Sequence, residues 1–143
     1  MWTFEHRETT AARPAEVWAQ YTEPATWPRW DQDLRSARAD GPLVVGTRGT
    51  LRPASGPPVA FTITEVAPGR AFTTVSRLPL GRLAIEHEVH ENDRGTDFIH
   101  RVTITGPLSG LYARILGPGL MKGLPVAMQA LAAQAVRERP ATR

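Results

Sequence analysis

The chain ends in a helical run from Leu108 to Val136, rich in Leu, Met and Ala, and nearly everything between residue 34 and that run reads as β-strand. Within it Leu120, Leu124, Met128, Leu131 and Ala135 recur every three or four residues, which makes one apolar stripe on a helix. A stripe of that length must be buried, and the only partner the chain offers is its own strands. The expected arrangement is therefore a sheet wrapped around one helix, a shape that commonly leaves an apolar cavity. Gly117-Pro118-Gly119 predicts a break between a short first piece and a longer second one. Pro125 predicts a kink, or a place in the first turn of the second piece.

The strands announce themselves by alternation. Trp2 to Thr10 places Trp2, Phe4 and His6 on one face and Thr3, Glu5 and Arg7 on the other. After Arg13, Pro14 suits the first turn of a helix that carries Val17, Trp18 and Tyr21 inward, and Glu23-Pro24 stops it. A second short helix or turn holds Thr26-Trp27-Pro28-Arg29-Trp30. Strands are then predicted over 34–39, 47–51, 59–66, 71–77, 83–91 and 96–105, with turns at Asp40-Gly41-Pro42, Ala67-Pro68-Gly69-Arg70 and Asn92-Asp93-Arg94-Gly95. Seven strands in series with tight connections imply an antiparallel sheet. The tail Arg139-Pro140-Ala141-Thr142-Arg143 reads as frayed.

Size and composition narrow the functional classes. A chain of 143 residues is expected to form one domain with a core of its own. It has no cysteine, which excludes disulfides and thiolate catalysis. Its N-terminus lacks the apolar segment of a signal peptide, and no apolar run is long enough to span a bilayer, so the expected location is the cytoplasm. The pI near 10.2 accompanies a net charge of only +3 from scattered arginines, with Lys122 the sole lysine. A nucleic-acid partner is not expected, since it calls for clustered or aromatic-interleaved basic residues. No cofactor is expected, and no metal, since there is neither cysteine nor a His-Glu helical motif; without a Gly-x-Ser-x-Gly elbow nothing signals a nucleophilic hydrolase.

The last strands hold the residues with chemistry. If Leu83, Ile85 and Val89 face the core, so does His87; if Phe98, Val102 and Ile104 face it, so does His100. The two lie at similar distances from the Asp93-Arg94 turn, so their imidazoles are expected nearly opposite each other on the concave face. They fit two readings: core histidines satisfied by backbone or water, or polar groups that hold a carbonyl or phenol or move protons. Trp27 and Trp30, about one helical turn apart, are expected where one end of the sheet is closed, as cavity wall or as core plugs. Met121 and Met128 fit either an adaptable cavity wall or ordinary core. Arg101 is expected on the outer face.

The order β-α-α-β6-α resembles the helix-grip fold of the START-like (SRPBCC, Bet v 1-like) superfamily, in its polyketide cyclase/dehydrase-type branch. The resemblance rests on Ala12-Arg13-Pro14-Ala15-Glu16-Val17-Trp18, Trp27-Pro28-Arg29-Trp30-Asp31 and Glu65-Val66-Ala67-Pro68-Gly69-Arg70-Ala71-Phe72. Gly95-Thr96-Asp97-Phe98-Ile99-His100-Arg101-Val102 with Gly106-Pro107-Leu108 adds a fourth motif, so the match spans the chain. It implies an α+β fold with a curved antiparallel sheet around the C-terminal helix. It also implies a hydrophobic ligand (a lipid, polyketide, isoprenoid or aromatic metabolite) in a cavity lined by Trp27, Trp30, Phe61, Phe72, His87, His100, Leu124 and Met128. The alternative within the same resemblance is a cyclase or aromatase acting on a poly-β-ketone chain, with His87 and His100 as its polar groups. A third reading is an interaction module that uses a sheet edge. Fold alone does not decide among them.

Overall fold

Along β1 (Trp2–Thr10) half-buried and exposed side chains alternate, and this two-faced pattern sets the architecture. A computed structural model describes residues 1–138. After β1 come α1 (Pro14–Ala19) and a 3₁₀ turn (Pro24–Arg29). Six strands follow: β2 (Leu34–Ala39), β3 (Arg48–Pro53), β4 (Val59–Ala67), β5 (Ala71–Leu78), β6 (Gly81–Asn92) and β7 (Gly95–Thr105). The helix α2 (Ser109–Arg137) closes the described chain. The expected frayed tail lies outside the described residues.

All seven strands pair antiparallel in the order β1-β7-β6-β5-β4-β3-β2. Sequential hairpins build β2 through β7, and β1 returns to lie beside β7. This is the helix grip that the sequence implied. Strand boundaries moved by a few residues at most; β6 and its hairpin partner are longer than alternation alone suggested.

Helix α1 begins as its sequence requires. Pro14 occupies its first turn, and the Arg13 backbone N–H donates to Glu16 Oε1 at 2.8 Å, which satisfies an end donor that the helix cannot. The segment is anchored further by Trp27, whose indole N–H donates to the Tyr21 carbonyl at 3.2 Å.

The expected break at Gly117-Pro118-Gly119 does not occur. Helix α2 runs without interruption, with Pro118 and Pro125 inside it. Each proline forfeits one N–H bond and crowds a carbonyl of the preceding turn, so local preference favours a break. Packing overrides it at both ends. At Gly117 the helix lies so close to β1 that a Cβ there would sit 3.3 Å from the Trp2 ring. Further along, Ala127, Met128, Leu131 and Ala135 are buried, and the Thr10 hydroxyl donates to the Ala132 carbonyl at 2.9 Å. Gln20 and Arg29 both bond to Glu138, at 2.8 and 3.1 Å, fastening the helix end to the α1 region.

Deleting the chain from Gly119 onward would uncover the inner face of the sheet. A truncated protein should therefore lose its cooperative thermal transition; a sharp melt close to that of the full chain would overturn the packing role of α2. In contrast, an added Cβ at Gly119 meets no atom within 4 Å, and its φ is not positive. Gly119→Ala should raise stability by about 0.5–1 kcal/mol, read as a higher midpoint in chemical denaturation.

Candidate functional site: an aromatic and imidazole cluster on the inner face

Register brings the site together. His87 on β6 pairs directly with His100 on β7, and His100 pairs with His6 on β1. On the other side Phe72 of β5 lies opposite His87. Four ring side chains thus form one row across four strands on the inner face. His87 and His100 are buried, with ring centroids 4.6 Å apart, as their alternation predicted. His6 is less enclosed and its Nε2 meets Glu8 at 3.0 Å.

Tyr21, just beyond α1, sits over this row. Its hydroxyl is 2.9 Å from His100 Nε2, and its ring packs edge-on against Phe72 and His87. Phe72 stacks face to face on His87 at 3.9 Å, and His87 Nδ1 lies 3.2 Å from the Phe72 carbonyl. A carbonyl only accepts, so Nδ1 carries the proton and Nε2 of His87 is left as an acceptor. Sequence reading placed Tyr21 inward but gave it no chemical part. The signal was available: a buried tyrosine hydroxyl needs a partner, and the strand alternation offers two imidazoles.

Burial holds all three groups neutral. Desolvation pushes the Tyr21 hydroxyl far above its usual range, so it stays protonated. It lowers His87 to about 4, against the opposing effect of bonds to the backbone of Phe72 and Ile85. His100 is pushed well below its ordinary value, first by burial and then by the proximity of His87 and His6. The arrangement can therefore hold one polar atom of an otherwise apolar molecule by neutral hydrogen bonds. Neutral imidazoles of such low basicity are weak proton acceptors at neutral pH.

Trp27, Trp30, Phe61 and Phe72 are buried in the same cluster as Met128, and Leu124 packs against it half-buried. With His87 and His100, the structure so gathers all eight residues singled out from the sequence. They do not stand back around an open chamber, however. Tyr21, Trp27, Trp30 and Phe72 touch one another ring to ring. A concavity of about 1150 Å³ lies on the opposite face of the sheet. Met121, the other methionine considered for a cavity wall, is exposed.

Two buried side-chain polar atoms find no protein partner among the described residues. One is Glu16 Oε2, whose sister oxygen accepts from Arg13. The other is Trp30 Nε1, on a ring 6.2 Å from that of His100. Beside Trp30, Asp31 has its carboxyl raised to about 6, chiefly by burial and further by the charge of Asp33, although the Asp33 backbone N–H it accepts opposes this. Among the described residues no group of three or more His, Cys, Asp or Glu is placed to hold a metal ion, and no helix is long and apolar enough to cross a membrane.

Residues 1–138 match the sequence profile of the family described as polyketide cyclase / dehydrase and lipid transport. The chain belongs to that family. No curated protein matches it by sequence. Among solved structures it is similar to protein MLL2253 from Mesorhizobium loti, with a TM-score of 0.77 and 18% identity, covering 97% of this chain and 100% of that one. Norcoclaurine synthase from Thalictrum flavum, solved with dopamine and hydroxybenzaldehyde, gives a TM-score of 0.73 at 14% identity, over 98% and 89% of the two chains. The di-domain ARO/CYC StfQ of the steffimycin biosynthetic pathway gives 0.77 at 14%, over 94% of this chain and 50% of that one. At these identities the likeness is one of fold.

The buried imidazoles set a pH dependence. Their folded-state basicity is depressed, so below about pH 6.5 the unfolded chain takes up protons that the folded chain does not, and stability falls as pH drops. Asp31 acts in the opposite sense between about pH 4 and 6, because its folded form holds a proton that the unfolded form has lost. Two histidines against one aspartate leave a net slope in favour of higher pH, and the lowered carboxyls of Glu88 and Glu138 act in the same sense. Urea titrations between pH 4 and 6.5 should show that slope, and Asp31→Asn should steepen it. A flat profile would mean that the imidazoles are not buried neutral.

Proposed function

We propose that the protein binds a hydrophobic small molecule that carries at least one hydrogen-bond acceptor, held between the inner face of the sheet and the first half of α2. The observation that carries this reading is the Trp30 indole N–H, buried without an acceptor among the described residues beside the neutral Tyr21–His100 pair. A buried donor left unpaired costs about 1–3 kcal/mol, so its presence calls for a reason, and a ligand oxygen supplies one.

A route in is also present. The first half of α2 contains Gly110, Gly117, Gly119 and Gly123 as well as Pro118, a composition that weakens a helix. Its apolar side chains Leu111, Ile115 and Met121 are exposed, at 50, 64 and 51%. On the inner face Phe4, Leu83 and Ile85 are only half-buried. Displacement of this segment, together with the rings beneath it, would open space along an apolar wall. Membership in a family described by lipid transport as well as cyclisation supports a ligand of lipid, polyketide, isoprenoid or aromatic class. The likeness to norcoclaurine synthase solved with dopamine and hydroxybenzaldehyde, and to the di-domain ARO/CYC StfQ, supports it too.

Catalysis as a cyclase or aromatase is the second reading, favoured by the family and by the paired imidazoles. Their low basicity gives them a part in orienting and polarising a carbonyl rather than in removing protons, so positioning would supply most of any rate gain. Genomic neighbours encoding a polyketide synthase would favour it.

Fluorescence titration with fatty acids, flavonoids and sterols tests the binding reading. At least one class should quench tryptophan emission saturably. Trp30→Phe removes the unpaired donor together with the five-membered part of the indole, so it should lower the melt modestly, as a partial core deletion does, and weaken binding about three- to tenfold. Trp27→Ala should instead cost about 3–5 kcal/mol of stability, as a core deletion does. Unchanged affinity in Trp30→Phe would remove its N–H from the site, and no saturation by any class would sink the reading.

A further inference from the structure

We propose that the outer face of the sheet carries a second binding site, for a soluble molecule bearing two or more phosphate groups, built from Arg48, Arg77 and Arg82. The three belong to different strands and point away from the core, because Phe72, Thr74 and Ser76 take the inward positions of β5 while Arg77 takes an outward one. Arg77 and Arg82 are direct cross-strand partners. Like charges placed directly opposite, with Cβ atoms about 5 Å apart, destabilise a sheet unless something sits between them. Arg48 reaches the same place from β3: its partner is Thr62, and Thr62 in turn faces Val75, two residues from Arg77.

The three line one concavity of about 1150 Å³. Its floor is Val75, which faces outward yet is only 9% exposed. Thr62 and Thr105 add hydroxyl donors. No carboxylate lines it, and among the described residues no ion pair engages any of the three arginines. This is not for lack of acid on that face. Glu5, Glu86 and Glu88 all converge on Arg101, with Glu5 at 2.7 Å and Glu88 at 2.9 Å. Three of the arginines on this face are thus left open where a fourth is saturated.

Guanidinium forks match phosphate oxygens two at a time, and hydroxyls can donate to those that remain. A recessed floor favours a soluble molecule over a flat membrane surface. Three positive charges around one hollow call for more than one negative charge on the ligand.

Calorimetric titration with tripolyphosphate at about 0.15 M salt tests this. Wild type should bind one equivalent saturably, with affinity that falls as salt rises. The double variant Arg77→Gln/Arg82→Gln should bind about tenfold or more weakly and melt no lower than wild type, since a repulsive pair has been removed. Arg48→Gln alone should weaken binding less. Failure to saturate, or equal binding by the triple glutamine variant, would overturn the site. So would binding of a polyglutamate peptide or of phosphatidic acid vesicles without binding of tripolyphosphate, since each would name a different occupant. Unaltered binding of apolar ligands to the double variant would show that the two faces act separately.

Discussion

A single register, set where Asn92 and Gly95 close the β6–β7 hairpin, decides what this sheet buries. Side chains in a strand alternate strictly, so a slip of β7 by one residue would turn His100 to solvent and carry Arg101 into the core. The turn holds the register firmly. Asn92 Oδ1 accepts the Arg94 backbone N–H at 2.8 Å, its amide donates to Asp97, and Gly95 adopts φ 150 where its missing side chain lets β1's end pass close by. From that register follow the imidazole pair, the stack of His87 on Phe72, the seat for Tyr21 and the ion cluster on the far side.

The fold was legible because its signals were redundant. Alternation marked the strands, glycine and proline marked the turns, and a run of apolar residues at helical spacing marked the element they must grip. His87 opposite His100 was legible for the same reason, since counting from one tight turn fixes two strands at once. The continuity of α2 was not. Gly117-Pro118-Gly119 carries a strong local preference against a helix, and only the closeness of Trp2 and the fastening at Thr10 and Glu138 explain why the helix persists. Tyr21 escaped notice as a site residue because its hydroxyl partner comes from a strand 79 positions away.

The interior illustrates how one set of side chains can serve two ends. Aromatic rings at 4–6 Å contribute packing energy, and the same rings offer stacking surfaces to a planar guest. A core made of them can remain folded while exchanging internal contacts for contacts with a ligand, provided that the covering helix yields. On the proposed reading, Pro118 and the glycines Gly110, Gly117, Gly119 and Gly123 are where α2 would yield, in its first half. The second half, which is tied by Ala127, Met128, Leu131 and Ala135, stays with the sheet.

The outer face has a different consequence. Glu5, Glu86 and Glu88 gather on Arg101, whereas no carboxylate lines the hollow that Arg48, Arg77 and Arg82 share, although Glu65 and Glu86 line a smaller one beside it. Charge on this face is therefore sorted locally, compensated around Arg101 and uncompensated by ion pairs around the hollow, which the modest net charge of the chain conceals. An anion drifting in from solution would meet that uncompensated field before it reached the hollow, so the rate of capture would depend on the field as much as on the final grip.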